Sequence, residues 1–179
     1  WFVAVENVPA PALEQLDAQM LRTRRVERLP IIAELYQRTP AAEAARFGEQ
    51  ITLGAWPQDQ IAMLRPGEVL AFDLWWRAQR TPETDYSVSV QLWGPEGHIA
   101  QVDGGFDRNR IPAPLLPLNV WTPDPRTLLI PADAAPGEYT LHVTVYDWRT
   151  GARLHVEPAV PDDLFPLARF VIEETAEKP

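Results

Sequence analysis

Residues 69–78 read VLAFDLWWRA, and the alternation in this stretch decides the fold. Leu70, Phe72, Leu74 and Trp76 occupy one parity, Ala71, Asp73, Trp75 and Arg77 the other. A period of two is that of a β-strand with one face turned to a core and the other away from it. Working outward, the same pattern returns at 86–93, where Tyr86, Val88, Val90 and Leu92 alternate with Ser87, Ser89, Gln91 and Trp93. It returns again at 138–146, with Tyr139, Leu141, Val143 and Val145 inward and Thr140, His142, Thr144 and Tyr146 outward. Pro66-Gly67, Pro95-Glu96-Gly97, Pro136-Gly137 and Gly151 supply turns between such runs. Shorter strands are expected at 51–55, 98–102, 126–130, 152–156 and 167–173, with 152–156 pairing back on 138–146 as a hairpin. Residues 103–125, broken by Gly104, Gly105 and five prolines, read as a long loop.

At least seven short alternating strands with Gly or Pro turns predict an all-β, antiparallel immunoglobulin-like sandwich over residues 49–175. Composition agrees. Nineteen prolines in 179 residues is about twice the usual share of roughly 5%, too many for a helical bundle. Residues 1–48 are expected to form an N-terminal helical, juxtamembrane extension, and 176–179 a tail. Pro11 opens a first helix in which Leu13, Leu16 and Met20 recur at i, i+3 and i+7. Arg22, Arg24, Arg25 and Arg28 form its basic end, suited to a helix C-terminus or to an anionic membrane surface. Ile32 and Tyr36 pair at i, i+4, and Thr39-Pro40 starts a short helix to Gly48. The apolar start Trp1–Val5 reads equally as the end of a spanning helix or as a first strand.

The formal charge of −9 is uneven: seven acids and six arginines in residues 1–49, eighteen acids and ten bases thereafter. An acidic sandwich lacks the basic footprint that nucleic acid requires. With no Cys there is neither a disulfide framework nor a thiolate metal site. Phosphate-loop, nucleophile-elbow and His-Glu-x-x-His motifs are missing from the sequence. His98, His142 and His155 fall on different strands; His142 and His155 are expected to face each other across the last hairpin, short of a metal-ligand set. Asp103, Asp107 and Asn109 around Gly104-Gly105 offer oxygen ligands as a calcium loop does, without the full ladder or its bidentate Glu. Neighbouring acids Asp162/Asp163 and Glu173/Glu174 point to opposite faces of an extended chain and make no glycosidase pair. The expectation is therefore no catalytic residue, metal or cofactor.

The outward aromatics remain. Trp75 and Trp93, with Asp73, Arg77, Ser89 and Gln91, are expected on the outer faces of two strands that pair through the 78–85 connection. Such a surface stacks on sugar rings or docks a protein, unless the chain itself covers it. Trp121 and Trp148, in turns, are lesser candidates of the same kind.

Three stretches carry a family resemblance: LRPGEVLAFDLWWRA (64–78), DYSVSVQLWGPEGHIAQVDG (85–104) and APGEYTLHVTVYDWRTGARL (135–154). Together they resemble the C-terminal extracytoplasmic β-sandwich domain of bacterial, Chloroflexi-type, multispanning membrane glycosyltransferase-like proteins. The resemblance spans roughly Phe47 to Ile172 and rests on pattern rather than an invariant motif. It implies a domain outside the cytoplasmic membrane, in a cell-envelope glycosylation context. The implied partner is a membrane-embedded protein or an upstream transmembrane segment, with a glycan as a further ligand. Residues 10–48 and the Pro-rich segment 111–125 depart from the pattern, and similar sandwiches also serve as free-standing extracytoplasmic modules.

Overall fold

The computed structural model describes residues 2–5, 20–28, 31–55 and 62–173, and the chain divides into two compact units, Trp1–Ala41 and Ala42–Pro179. The smaller unit is a sheet of β1 (Phe2–Val5), β2 (Met20–Arg28) and β3 (Ile31–Arg38), in the order β1-β3-β2 and antiparallel throughout. This corrects the helical reading of 20–38. Arg28 stands opposite Ile31 and Met20 opposite Arg38, so the two runs close a hairpin whose ladder supplies the backbone partners a helix would have used. The first-strand reading of Phe2–Val5 is the one observed. Leu13 and Leu16 of the expected stripe lie outside the described residues. A third expected helix, running to Gly48, is instead strand β4 (Glu43–Phe47) of the larger unit.

The larger unit is the expected immunoglobulin-like sandwich, two five-stranded sheets packed face to face. Its first sheet has the order β10-β7-β5-β4-β12, from β5 (Ile51–Gly54), β7 (Val69–Ala78), β10 (Thr122–Leu129) and β12 (Val156–Glu157). The second has the order β6-β13-β11-β8-β9, from β6 (Ala62–Leu64), β8 (Tyr86–Gly94), β9 (Gly97–Gly104), β11 (Gly137–Asp147) and β13 (Phe165–Ile172). β6 runs parallel to β13 while its neighbours are antiparallel. Tyr139, at the start of β11, donates its hydroxyl to Ala135 O at 2.8 Å, the tyrosine-corner device of this architecture. Its ring lies so close to Gly94 that a β-carbon there would sit 2.0 Å from Cε1, so β8 can pass that point only as glycine.

The inward parity is the one read from sequence. Leu74, Trp76, Val88, Val90, Leu92, Tyr139, Leu141, Val143 and Val145 are all buried. Trp76 is the centre, edge-on to Phe47 at 5.9 Å and to Phe106 at 5.4 Å. Fully burying each large apolar side chain contributes about 1.5–3 kcal/mol.

Three local expectations need correction. β10 begins at Thr122, not Arg126, so two prolines sit inside a strand. It is an edge strand, and Pro123 and Pro125 occupy positions where no N–H is owed to β7. Residues 152–156 do not complete a hairpin with β11. After one bridge between Tyr146 and Arg153 and a bond from Leu154 N to Val145 O, the chain crosses to the first sheet, where Val156 pairs with Phe47. His155 consequently bonds Asp163 at 3.0 Å instead of facing His142.

Inside β10 the even positions face the core, which places Asp124 and Arg126 there, 0% and 7% exposed. Burial of that pair is tolerable because every charge has partners. Arg126 Nε and Nη2 donate to the Asp124 carboxylate at 2.8–3.1 Å, and Trp76 Nε1 donates to Asp124 Oδ2 at 3.0 Å. Arg126 Nη2 also reaches Gly104 O and Gly105 O at 3.2 and 2.8 Å, tying the first sheet to the chain leaving β9 in the second. There the backbone makes a left-handed turn, with φ of 45°, 56° and 64° at Asp107, Arg108 and Asn109. Such residues avoid this region unless their surroundings hold them in it. Asp124 Oδ1 accepts from Arg108 N, and Asn109 Oδ1 accepts from Gly105 N.

Candidate functional site

The two tryptophans singled out in the sequence do not share a surface. β7 belongs to the first sheet and β8 to the second, so the 78–85 connection crosses the sandwich rather than closing a hairpin. Asp73, Trp75 and Arg77 therefore lie on one outer face, and Ser89, Gln91 and Trp93 on the opposite one. A joint platform of Trp75 and Trp93 is not formed.

The first-sheet face is internally satisfied. Arg77 makes an ion pair with Glu43, and its guanidinium stands 4.5 Å from the centre of the Trp121 ring. Trp75, opposite Pro123 on β10, is 9% exposed. Little of its indole is left to meet a ligand.

The second-sheet face is built differently. β8 lies between β9 and β11, so its outward residues are flanked on both sides: Ser89 by Asp103 and Thr144, Gln91 by Gln101 and His142, and Trp93 by His98 and Thr140. Along β8 the side chains are chained together. Trp93 Nε1 donates to Gln91 Oε1, and Gln91 Nε2 donates to Ser89 Oγ, both at 3.1 Å. On the edge strand Gln101 Nε2 donates to Asp103 Oδ2 at 2.7 Å. The Trp93 ring meets His98 edge-on at 5.5 Å and His142 at 6.4 Å, and it is 37% exposed. Holding both ends of an indole in this way removes rotamer freedom before any partner arrives, which lowers the entropic cost of docking.

Electrostatics on this face are muted. Burial pushes the His142 imidazole below its ordinary value, against a backbone hydrogen bond at Thr140. Tyr146 is raised by burial and then by the Asp103 carboxylate. Both shifts favour neutral side chains near neutral pH, so the face is polar without being charged at its centre. Among the described residues no group of three His, Asp or Glu is placed to hold a metal ion. Of the oxygen ligands that the calcium reading of 103–109 offered, Asp103 accepts from Gln101, Asp107 lies 3.9 Å from Arg110 and Asn109 accepts from Gly105 N, while Arg126 takes the Gly104 and Gly105 carbonyls.

Sequence reasoning found the Trp93, Gln91 and Ser89 row and missed its flanks. His142 and Thr144 were recognisable as outward on β11, but only non-local pairing brings β11 beside β8. Neither a protein-family model nor a curated protein sequence matches this chain, so the Trp93 face stands on its geometry alone.

Proposed function

We propose that this chain is a non-catalytic interaction domain, working at the extracytoplasmic face of a bacterial cytoplasmic membrane in a cell-envelope glycosylation context. On this reading it docks a membrane-embedded protein through the outer face of the second sheet. The observation that carries the proposal is Trp93 itself, 37% exposed and held in place through the buried Gln91 and Ser89 of its own strand. Aromatic anchors with a polar surround are what protein interfaces use at their centres. The compartment and the glycosylation context rest on the family resemblance of residues 64–78, 85–104 and 135–154.

Three measurements test this. A photo-crosslinking benzoylphenylalanine at position 93 should couple the domain to an integral membrane protein in native envelopes, and the same residue at position 75 should not. Equal yields from both positions would remove the assigned surface. External protease should degrade the domain in intact spheroplasts; degradation only after lysis would place it on the other side. The purified chain should neither release nor transfer sugar from activated or lipid-linked donors, and measurable turnover would overturn the non-catalytic reading.

A further inference from the structure

A second tryptophan stands at a different part of the sandwich, where the connection into β8, the turn after β9 and the turn after β11 meet. Trp148 is 54% exposed and lines a cleft of about 260 Å³ together with Asp85, Ser87, Asn109, Ile111 and Pro112. That is below the roughly 300 Å³ at which pockets for drug-sized ligands begin, the scale of a single small ring rather than a chain.

The walls of this cleft are fixed. The turn carrying Trp148 is closed by bonds from Thr150 N and Gly151 N to Asp147 O, at 3.2 and 2.8 Å, and from Arg149 N to Asp147 Oδ1 at 2.9 Å. Arg149 lies 4.6 Å from the Trp148 ring centre and donates to Thr84 Oγ1 at 3.2 Å, which holds the indole next to Asp85. The opposite wall is the left-handed turn, pinned from beneath by Arg126.

The polar groups are arranged in complement. Asp85 Oδ1 accepts from Ala113 N at 2.9 Å, and Asn109 Oδ1 accepts from Gly105 N. Each of these side chains is thereby oriented through one atom. Among the described residues, Asp85 Oδ2 and Asn109 Nδ2 carry no further hydrogen bond, one an acceptor and the other a donor. A sugar presents this pattern in return: adjacent hydroxyls that donate and accept, and a flat C–H face that lies against an indole.

We propose that this cleft binds one neutral pyranose unit, with Trp148 as the stacking wall and Asp85 and Asn109 as a hydroxyl fork. The Asp85 carboxylate disfavours acidic sugars, and the small volume limits recognition to a terminal residue. A ligand this small in a shallow cleft binds with a Kd on the order of millimolar. This site is separate from the Trp93 face, and either assignment can fail alone.

The test titrates the methyl glycosides of glucose, galactose, mannose and N-acetylglucosamine into the chain, read by saturation-transfer NMR and by amide shifts. At least one should give saturable shifts confined to residues around 85, 109 and 148. Trp148→Ala, at an exposed turn, and Asp85→Asn should each weaken binding by about tenfold, while Trp93→Ala leaves it unchanged. No saturable response to any glycoside up to about 50 mM, well past the expected Kd, would overturn the proposal. So would binding that survives Trp148→Ala, or a response to lysine amide in place of the glycosides, which would make the cleft a seat for a cation. Trp148→Phe keeps a stacking ring and should retain measurable affinity, separating loss of the wall from loss of the fold.

Discussion

Replacing Arg126 with methionine tests whether the buried ion pair ties the two sheets together. The substitution keeps an unbranched apolar stem but removes the guanidinium from a carboxylate that is 0% exposed. Three donor contacts to Asp124 at 2.8–3.1 Å disappear, and the Gly104 and Gly105 carbonyls lose their donor. An unpaired buried charge typically costs about 3–5 kcal/mol. With a urea m-value of about 2 kcal/mol/M, the midpoint should fall by about 2 M, followed through tryptophan fluorescence. Asp124→Asn alone should also destabilise, since the guanidinium loses its counter-charge while Trp76 Nε1 keeps an acceptor. The double variant restores neutrality and should be more stable than the sum of the single effects predicts by about 2 kcal/mol. A midpoint shift below about 0.5 M for Arg126→Met, or additivity within about 0.5 kcal/mol, would refute the argument.

The unequal burial of the two tryptophans gives a second prediction: Trp75→Ala should cost about 3 kcal/mol, and Trp93→Ala under about 1 kcal/mol, in the same urea assay. Tyr139→Phe should cost about 1 kcal/mol through its hydroxyl alone, whereas Gly94→Ala forces a β-carbon into the Tyr139 ring and should lower the melting temperature far more. The depressed His142 has a clear pH signature. Its contribution is fully present above the unfolded pKa of about 6.5 and is lost as pH falls through the lower folded value, so stability should decline on acidification below about pH 6.5. His142→Gln should flatten that decline in a pH series of urea melts, and an unchanged slope would show that other groups cause it.

The larger strands were legible because β7, β8 and β11 hold their inward parity across their length, and only a half-buried strand has that period. Which strands become neighbours was not legible, since the connection between Ala78 and Tyr86 reads the same whether it closes a hairpin or crosses between sheets. That ambiguity put Trp75 and Trp93 on one imagined surface. The first half of β10 was hidden for a different reason. Two prolines and an inward Asp124 and Arg126 contradict a core strand at every local level, and only Trp76 and the left-handed turn, distant in sequence, make them acceptable. In residues 20–38 the spacing of a few apolar residues resembled helical stripes, yet ladder pairing prevailed. Trp148 could be named as exposed from its turn, but Asp85 and Asn109 reach it only through folding.

The prolines of β10 bear on how copies of this protein behave at high local concentration. A sheet polymerises when a neighbour's backbone can zip onto its rim, and Pro123 and Pro125 leave no N–H at two successive outward positions of that rim. The far rim of the same sheet, β12, is two residues long and ends at Pro158, too short to template another chain. Strand exchange is therefore blocked along the Pro123–Pro125 half of β10 and at β12, which confines any backbone purchase on the first sheet to the end of β10 that carries the exposed Thr127 and Leu129.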